Sequence, residues 1–358
     1  MSTIGPGGRI AFYRRDDGWP APAFVIDPDG SHEAAIEERG SLPGIWSPDG
    51  RSLAVNAWVE DSAQADAAEW IRPALIRPGD ATAKVLAGAD ERQMHLVPLG
   101  WSADGSRLLV YSGFDAVDDT DIGVFMVNAF DGGDLSPILP ASRQSLDRFD
   151  FVEVSPDGES LLVSRQLKGE GGNVFVTNVS DAVLRQVNPV GTVAIDLEFW
   201  DFLERGRISE AWSPDGSRIA FGAFVLDADS PGLYVGHADG SGVKQIVSTD
   251  IGAVSAQWSP DAEWIAFTTR LRSQPQVWIV RPDGSDLTQL TTGSDGSTSV
   301  APVWSPDGKK ILFQRMLAGE VTLWTMNAEG ADQKQLSSVP LGNEYVGPYS
   351  WWPATAER

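Results

Sequence analysis

Asp115, Asp118, Asp119 and Asp121 gather four carboxylates in one short stretch. Hard oxygen donors of this kind suit Ca2+, which takes six to eight of them. The stretch lacks the spacing and the glycine of an EF-hand loop, so the expectation is no cofactor, with Ca2+ as the one ion the cluster could take. Acid–base and nucleophilic chemistry finds less to work with. The three histidines, His32, His95 and His237, are far apart in the chain, and the absence of cysteine excludes thiol chemistry and disulfides. No Gly-x-Ser-x-Gly nucleophile elbow and no phosphate-cradling glycine loop occur. Arg14, Arg165, Arg270 and Arg315 could together hold an anionic ligand such as an acidic sugar, or pair with the many aspartates around them. The expectation is a protein that is not an enzyme.

A second candidate is a surface for binding rather than chemistry. Ile195-Asp196-Leu197-Glu198-Phe199-Trp200-Asp201-Phe202-Leu203-Glu204-Arg205 sets three large aromatics among acids. In a helix, Ile195, Phe199, Phe202 and Leu203 share one face and Trp200 borders it. Such a face either anchors a protein partner or covers a central channel, or else it packs flat on the body of the protein. Phe199, Trp200, Phe202 and Leu203 are the candidate anchors.

Whatever positions these residues is built from a repeat. Trp46-Ser47-Pro48-Asp49-Gly50 returns as Trp101-Ser102-Ala103-Asp104-Gly105, Val154-Ser155-Pro156-Asp157-Gly158 and Trp212-Ser213-Pro214-Asp215-Gly216, then as Trp258-Ser259-Pro260-Asp261-Ala262 and Trp304-Ser305-Pro306-Asp307-Gly308. Repeats of roughly 40–50 residues indicate a propeller or solenoid whose units are stable only beside their neighbours. In each turn, Pro presets the second position, Asp bonds its own backbone and Gly takes the left-handed conformation. Short apolar runs follow, such as Leu53-Ala54-Val55 and Ile311-Leu312-Phe313, and read as buried strands. A third strand, a second Asp-Gly turn and a fourth strand complete one four-stranded blade. The recurring Trp46, Trp101, Trp212, Trp258 and Trp304 are read as wedges between neighbouring blades.

The chain opens at a second strand, Gly8-Arg9-Ile10-Ala11-Phe12, and the missing first strand is available in Tyr349-Ser350-Trp351-Trp352-Pro353. The expected fold is therefore all-β, one domain over residues 1–358. It is a seven-bladed β-propeller of four-stranded antiparallel blades, closed by the C-terminal strand joining the N-terminal blade. Blade one is shared by residues 8–39 and 347–353, and later blades begin near 42, 96, 149, 208, 253 and 300.

The Trp-Ser-Pro-Asp-Gly, apolar strand, Asp-Gly turn pattern resembles the TolB-type propeller repeat over essentially the whole chain. The resemblance implies a fold more than a function. Similar repeats occur in TolB-like scaffolds, in propellers of prolyl-oligopeptidase and tricorn-like relatives, and in some polysaccharide lyases. TolB is similar to a six-bladed arrangement with an extra domain in front, so its partners are not carried over to seven repeats.

Composition narrows the partners. The net charge of −23 disfavours nucleic acid and anionic membranes, which need clustered Lys and Arg. No apolar run approaches the ~20 residues that span a bilayer. The compartment is left open: periplasmic or extracellular if a signal peptide has been trimmed, cytoplasmic otherwise. In a blade, first-to-second and third-to-fourth turns share one face, and these are uniformly tight. The longer segments, Val59 to Glu69, Gly113 to Thr120, Phe224 to Pro231 and Asn188 to Arg207, fall on the other face and are rich in acids. Long loops on a rigid scaffold are where binding concentrates. The expected function is a non-catalytic scaffold, monomeric or part of a larger complex, that binds a protein partner there, and the acidic loops suit a basic one. The alternative is a gating or carbohydrate- or peptide-active propeller that uses its channel.

Overall fold

The computed structural model describes residues 8–13, 23–37, 40–60, 69–77, 83–86, 95–112, 123–140, 148–167, 171–180, 183–188, 192–194, 211–225, 232–248, 250–269, 274–337 and 350–352. They form seven four-stranded antiparallel sheets, the seven blades of a propeller. Blade one joins Ser350–Trp352 to Arg9–Tyr13, with Ile10 opposite Trp351, and continues through Ala23–Ile26 and Ala34–Glu37. The last strand thus closes the ring on the first, and no seam is left open.

First strands approach one another around the axis, those of blades seven, one, two, three and four in succession. Two-residue fourth strands such as Lys84–Val85 and Lys334–Gln335 lie at the rim. Alternation along each second strand sends successive side chains to opposite seams. Leu108 and Val110 pack toward blade two, while Leu109 and Tyr111 pack toward blade four. The hydrophobic core is accordingly seven clusters, each shared by two adjacent blades, including one in which Ile10, Phe12 and Ile26 meet Leu312, Leu323 and Leu336 across the closure. All five repeat tryptophans are buried in these seams. Each buries ~150–250 Å², worth at most about 4–6 kcal/mol at ~25 cal/mol/Å².

Polar bonds cross the same seams. The Trp101 indole donates to the Ile45 carbonyl and that of Trp258 to the Ala211 carbonyl, both at 2.9 Å. In two other seams a side chain takes the tryptophan's backbone instead. Gln257 Oε1 accepts from Trp304 N at 2.6 Å, and the buried Glu153 carboxylate accepts from Ala211 N at 2.8 Å and Trp212 N at 3.4 Å.

Five of the first strands, those of blades two, three, four, six and seven, carry a bulge a few residues before the repeat Trp-Ser or Val-Ser. In blade seven, Val300 and Val303 oppose Gln314 and Leu312, and Ala301 between them takes φ 53°. Blade six repeats this around Ser255 at φ 54°, and blades two and three carry it too. In blade five the pairing is interrupted before the tryptophan. Thr192–Ala194 pairs with Ala223–Val225, and Trp212 then bridges to Ile219. The strand thus stops at Ala194 and its pairing resumes at Trp212. The sequence reading, which made Asn188 to Arg207 a link between blades and began blade five near 208, is corrected here: pairing with Ala223–Val225 puts the strand's start at Thr192.

Candidate partner-binding face

The two faces of the ring are built differently. On the tight-turn face each repeat serine donates its hydroxyl to the turn aspartate, Ser47 to Asp49, Ser102 to Asp104, Ser155 to Asp157, Ser213 to Asp215, Ser259 to Asp261 and Ser305 to Asp307, at 2.5–2.7 Å. The same aspartate oxygen accepts the backbone N–H two residues on, as from Arg51 and Ser217. These bonds favour the ionised carboxylate. Asp104 is lowered to about 2, first by the Ser106 N–H and then by the Ser102 hydroxyl, and Asp215 likewise, first by the Ser213 hydroxyl. The serines are thereby committed to turns. Gly158, at φ +71°, also packs on the turn of the preceding blade, where a Cβ would meet Ala103 N at 2.8 Å.

The opposite face is held at its base by caps on third strands. In blades four, six and seven the second residue after the fourth strand does this. Asn188 Oδ1, Thr291 Oγ1 and Ser337 Oγ accept from the backbone N–H of Val174, Val277 and Leu323 at 2.9–3.1 Å. Blade two has Pro73 at the corresponding place, with no N–H to cap, and His95 Nδ1 instead accepts from Ile71 N at 3.0 Å. That bond places the ring proton on Nε2. Further out, Arg315 pairs with Asp295 and stacks 4.5 Å over Trp324. Asp295 is lowered to about 2, mainly by the Ser297 hydroxyl and N–H, with Arg315 adding to it.

The expected site residues divide accordingly. Asp49, Asp104, Asp157, Asp215, Asp261 and Asp307 are turn residues, and Trp46, Trp101, Trp212, Trp258 and Trp304 are seam residues. The histidines sit in separate blades: His32 is exposed and bonds Asp27 at 2.8 Å, His95 is a cap, and His237 begins a turn. Among the described residues no group of three or more His, Cys, Asp or Glu could hold a metal. Asp115, Asp118, Asp119 and Asp121 lie outside the described residues, between Ser112 and Gly123, which pair with each other. Phe199, Trp200, Phe202 and Leu203 also lie outside them. Of their described flanks, Ala194 ends the innermost strand of blade five and Ala211 precedes Trp212, which bridges to Ile219. Sequence reading missed Glu153 and Gln257, which reach across seams. It also missed the caps, although a polar residue directly after the apolar Val187, Leu290 and Leu336 was a usable signal.

Comparison with known proteins agrees with the repeat. A family model described as the TolB beta propeller domain matches residues 203–352. No curated protein sequence matches the chain. Among solved structures, a putative TolB from Agrobacterium tumefaciens is 18% identical, with a TM-score of 0.50 over 72% of this chain and 84% of that one. The oligogalacturonate lyase of Vibrio parahaemolyticus is 11% identical, with a TM-score of 0.57 over 93% and 86%. A puromycin-hydrolyzing peptidase of Mycobacterium tuberculosis is 12% identical, with a TM-score of 0.62 over 93% of this chain and 54% of that one, so this chain spans about half its length. At these identities the likeness is one of fold. The chain is a seven-bladed β-propeller, and its C-terminal part, residues 203–352, is similar to the TolB beta propeller domain.

Proposed function

We propose that the protein is a non-catalytic scaffold that binds a protein partner through its loop-rich face, with Phe199, Trp200, Phe202 and Leu203 as anchors. One observation carries the proposal: the innermost strand of blade five stops at Ala194 and its pairing resumes at Trp212, so both ends of the 195–210 insertion are held at the inner strand rather than at the rim. Rigid strands fix both ends of the insertion, and its sequence sets aromatics among acids, the composition of an interface centre. The acids of the other long segments, Glu60, Asp61, Asp66, Glu69, Asp227 and Asp229, favour a basic partner by electrostatic complementarity.

The test is capture from lysate of the source organism, with a Trp200→Ser/Phe202→Ser variant alongside. The captured protein is then titrated against both forms. We expect at least a tenfold loss of affinity in the variant at an unchanged melting temperature, and weaker binding by the parent at high salt. Equal affinity of parent and variant would sink the proposal. The second reading, a propeller acting on peptides or acidic sugars at its channel, is favoured by the fold likeness to a lyase and a peptidase. Turnover of oligogalacturonate or of peptides by the purified protein would establish it instead.

A further inference from the structure

Two buried oxygens stand without partners in a single seam. Asn56 is 3% exposed and its Oδ1 has no hydrogen bond, and Ser112 is fully buried and its Oγ has none. Strand alternation places both between blades two and three. Asn56 follows Ala54 on its face, and Ser112 follows Leu108 and Val110 on theirs; all three of those residues pack in that seam.

The seam between blades six and seven explains the orphaned acceptor. There Thr268 stands three residues after Ile265, as Asn56 stands three after Leu53, and its Oγ1 accepts from Ala301 N at 3.0 Å. Ala301 lies three residues before Trp304. The residue three before Trp101 is Pro98, which has no N–H to give. Ser112 holds the complementary group, a hydroxyl that can donate. Buried polar atoms left by the protein's own bonding are what internal waters serve, each making two to four hydrogen bonds.

We propose that one water molecule is sealed at the loop-rich end of this seam, donating to Asn56 Oδ1 and accepting from the Ser112 hydroxyl. Its place gives it a consequence for the working face. Leu53–Glu60, the strand of Asn56, leads into residues 61–68, and Ser112 ends the strand before 113–122. The water ties together the roots of the two acidic segments.

Water 17O magnetic relaxation dispersion, which counts long-lived internal waters, tests this on the parent, Asn56→Leu and Ser112→Ala. Asn56→Leu removes the acceptor at similar volume and is expected to lose one water's contribution while keeping its melting temperature. Ser112→Ala, a change too small to unfold the ring, is expected to shorten that water's residence at least tenfold. An undiminished contribution in the Ser112→Ala protein overturns the proposal, whether or not the leucine variant folds. So does a Ca2+-induced rise in the parent's melting temperature that both variants lose, because the two oxygens would then hold a cation.

Discussion

A buried indole N–H is worth having only where something accepts it. Trp101 has the Ile45 carbonyl, whereas Trp304 Nε1 and Trp212 Nε1 are buried with no partner. The two unpartnered indoles are those whose backbone is taken by a side chain of the preceding blade, Gln257 for Trp304 and Glu153 for Trp212. Replacing Trp101 with Phe should therefore cost about 1–2 kcal/mol more than Trp304→Phe, because only the first breaks a bond. Urea titrations of the two variants against the parent measure this directly. Trp212→Ala empties a seam and should cost about 3–5 kcal/mol, enough to unfold a marginal domain. The turn carboxylates add a pH dependence. Asp215 falls from 3.8 to about 2 on folding, so its contribution is complete above pH 3.8 and is lost as pH falls toward 2. Asp215→Asn should narrow the gap between melting temperatures at pH 7 and pH 3, and an unchanged gap would assign acid sensitivity elsewhere. These turns were legible in the sequence because every bond in them is local, from one residue to another at most five away. Glu153 was not legible, because its partners lie 58 and 59 residues on and meet it only through blade packing.

At the level of strands, the shared bulge is the device from which the working face is made. It turns the innermost strand before the repeat motif, and in blades six and seven it leaves Ser255 and Ala301 in the left-handed region, where a Cβ costs about 1–2 kcal/mol. Ala301→Gly should recover part of that strain and raise the melting temperature slightly, against the entropy that glycine adds to the unfolded chain. A drop of several degrees would mean that the alanine methyl packs better than its backbone suggests. The strands themselves were readable from apolar runs between turns, since both signals are local. Their interruption in blade five was not. Thr192-Val193-Ala194 carries no tryptophan motif and becomes a first strand only by pairing with Ala223–Val225. Proline had legible consequences once register was known: Pro73 removes the need for a cap and Pro98 leaves Asn56 without a donor.

Over the whole ring, seven similar seams leave no blade self-sufficient, since every core cluster draws on two blades. The closing strand is short, but its removal would expose the edge of Arg9–Tyr13 and take Trp351 out of the last cluster. Deleting residues 350–358 should abolish cooperative melting and promote association, as calorimetry and sedimentation would report. A truncated protein that melted like the parent would mean that packing alone holds blades seven and one together. The blade count was legible in the sequence because the repeat motif fails only once, at the start, and its missing piece is recognisable at the end.

That division of blade one also sets a clock. Ile10 leaves the ribosome about 340 residues before its partner Trp351, and at ~5–20 residues per second the interval is roughly tens of seconds. Throughout synthesis of this stretch the first blade is one strand short and its edge is open to any passing chain. Speed of translation, and whatever shields that edge meanwhile, therefore decide how many molecules ever become rings.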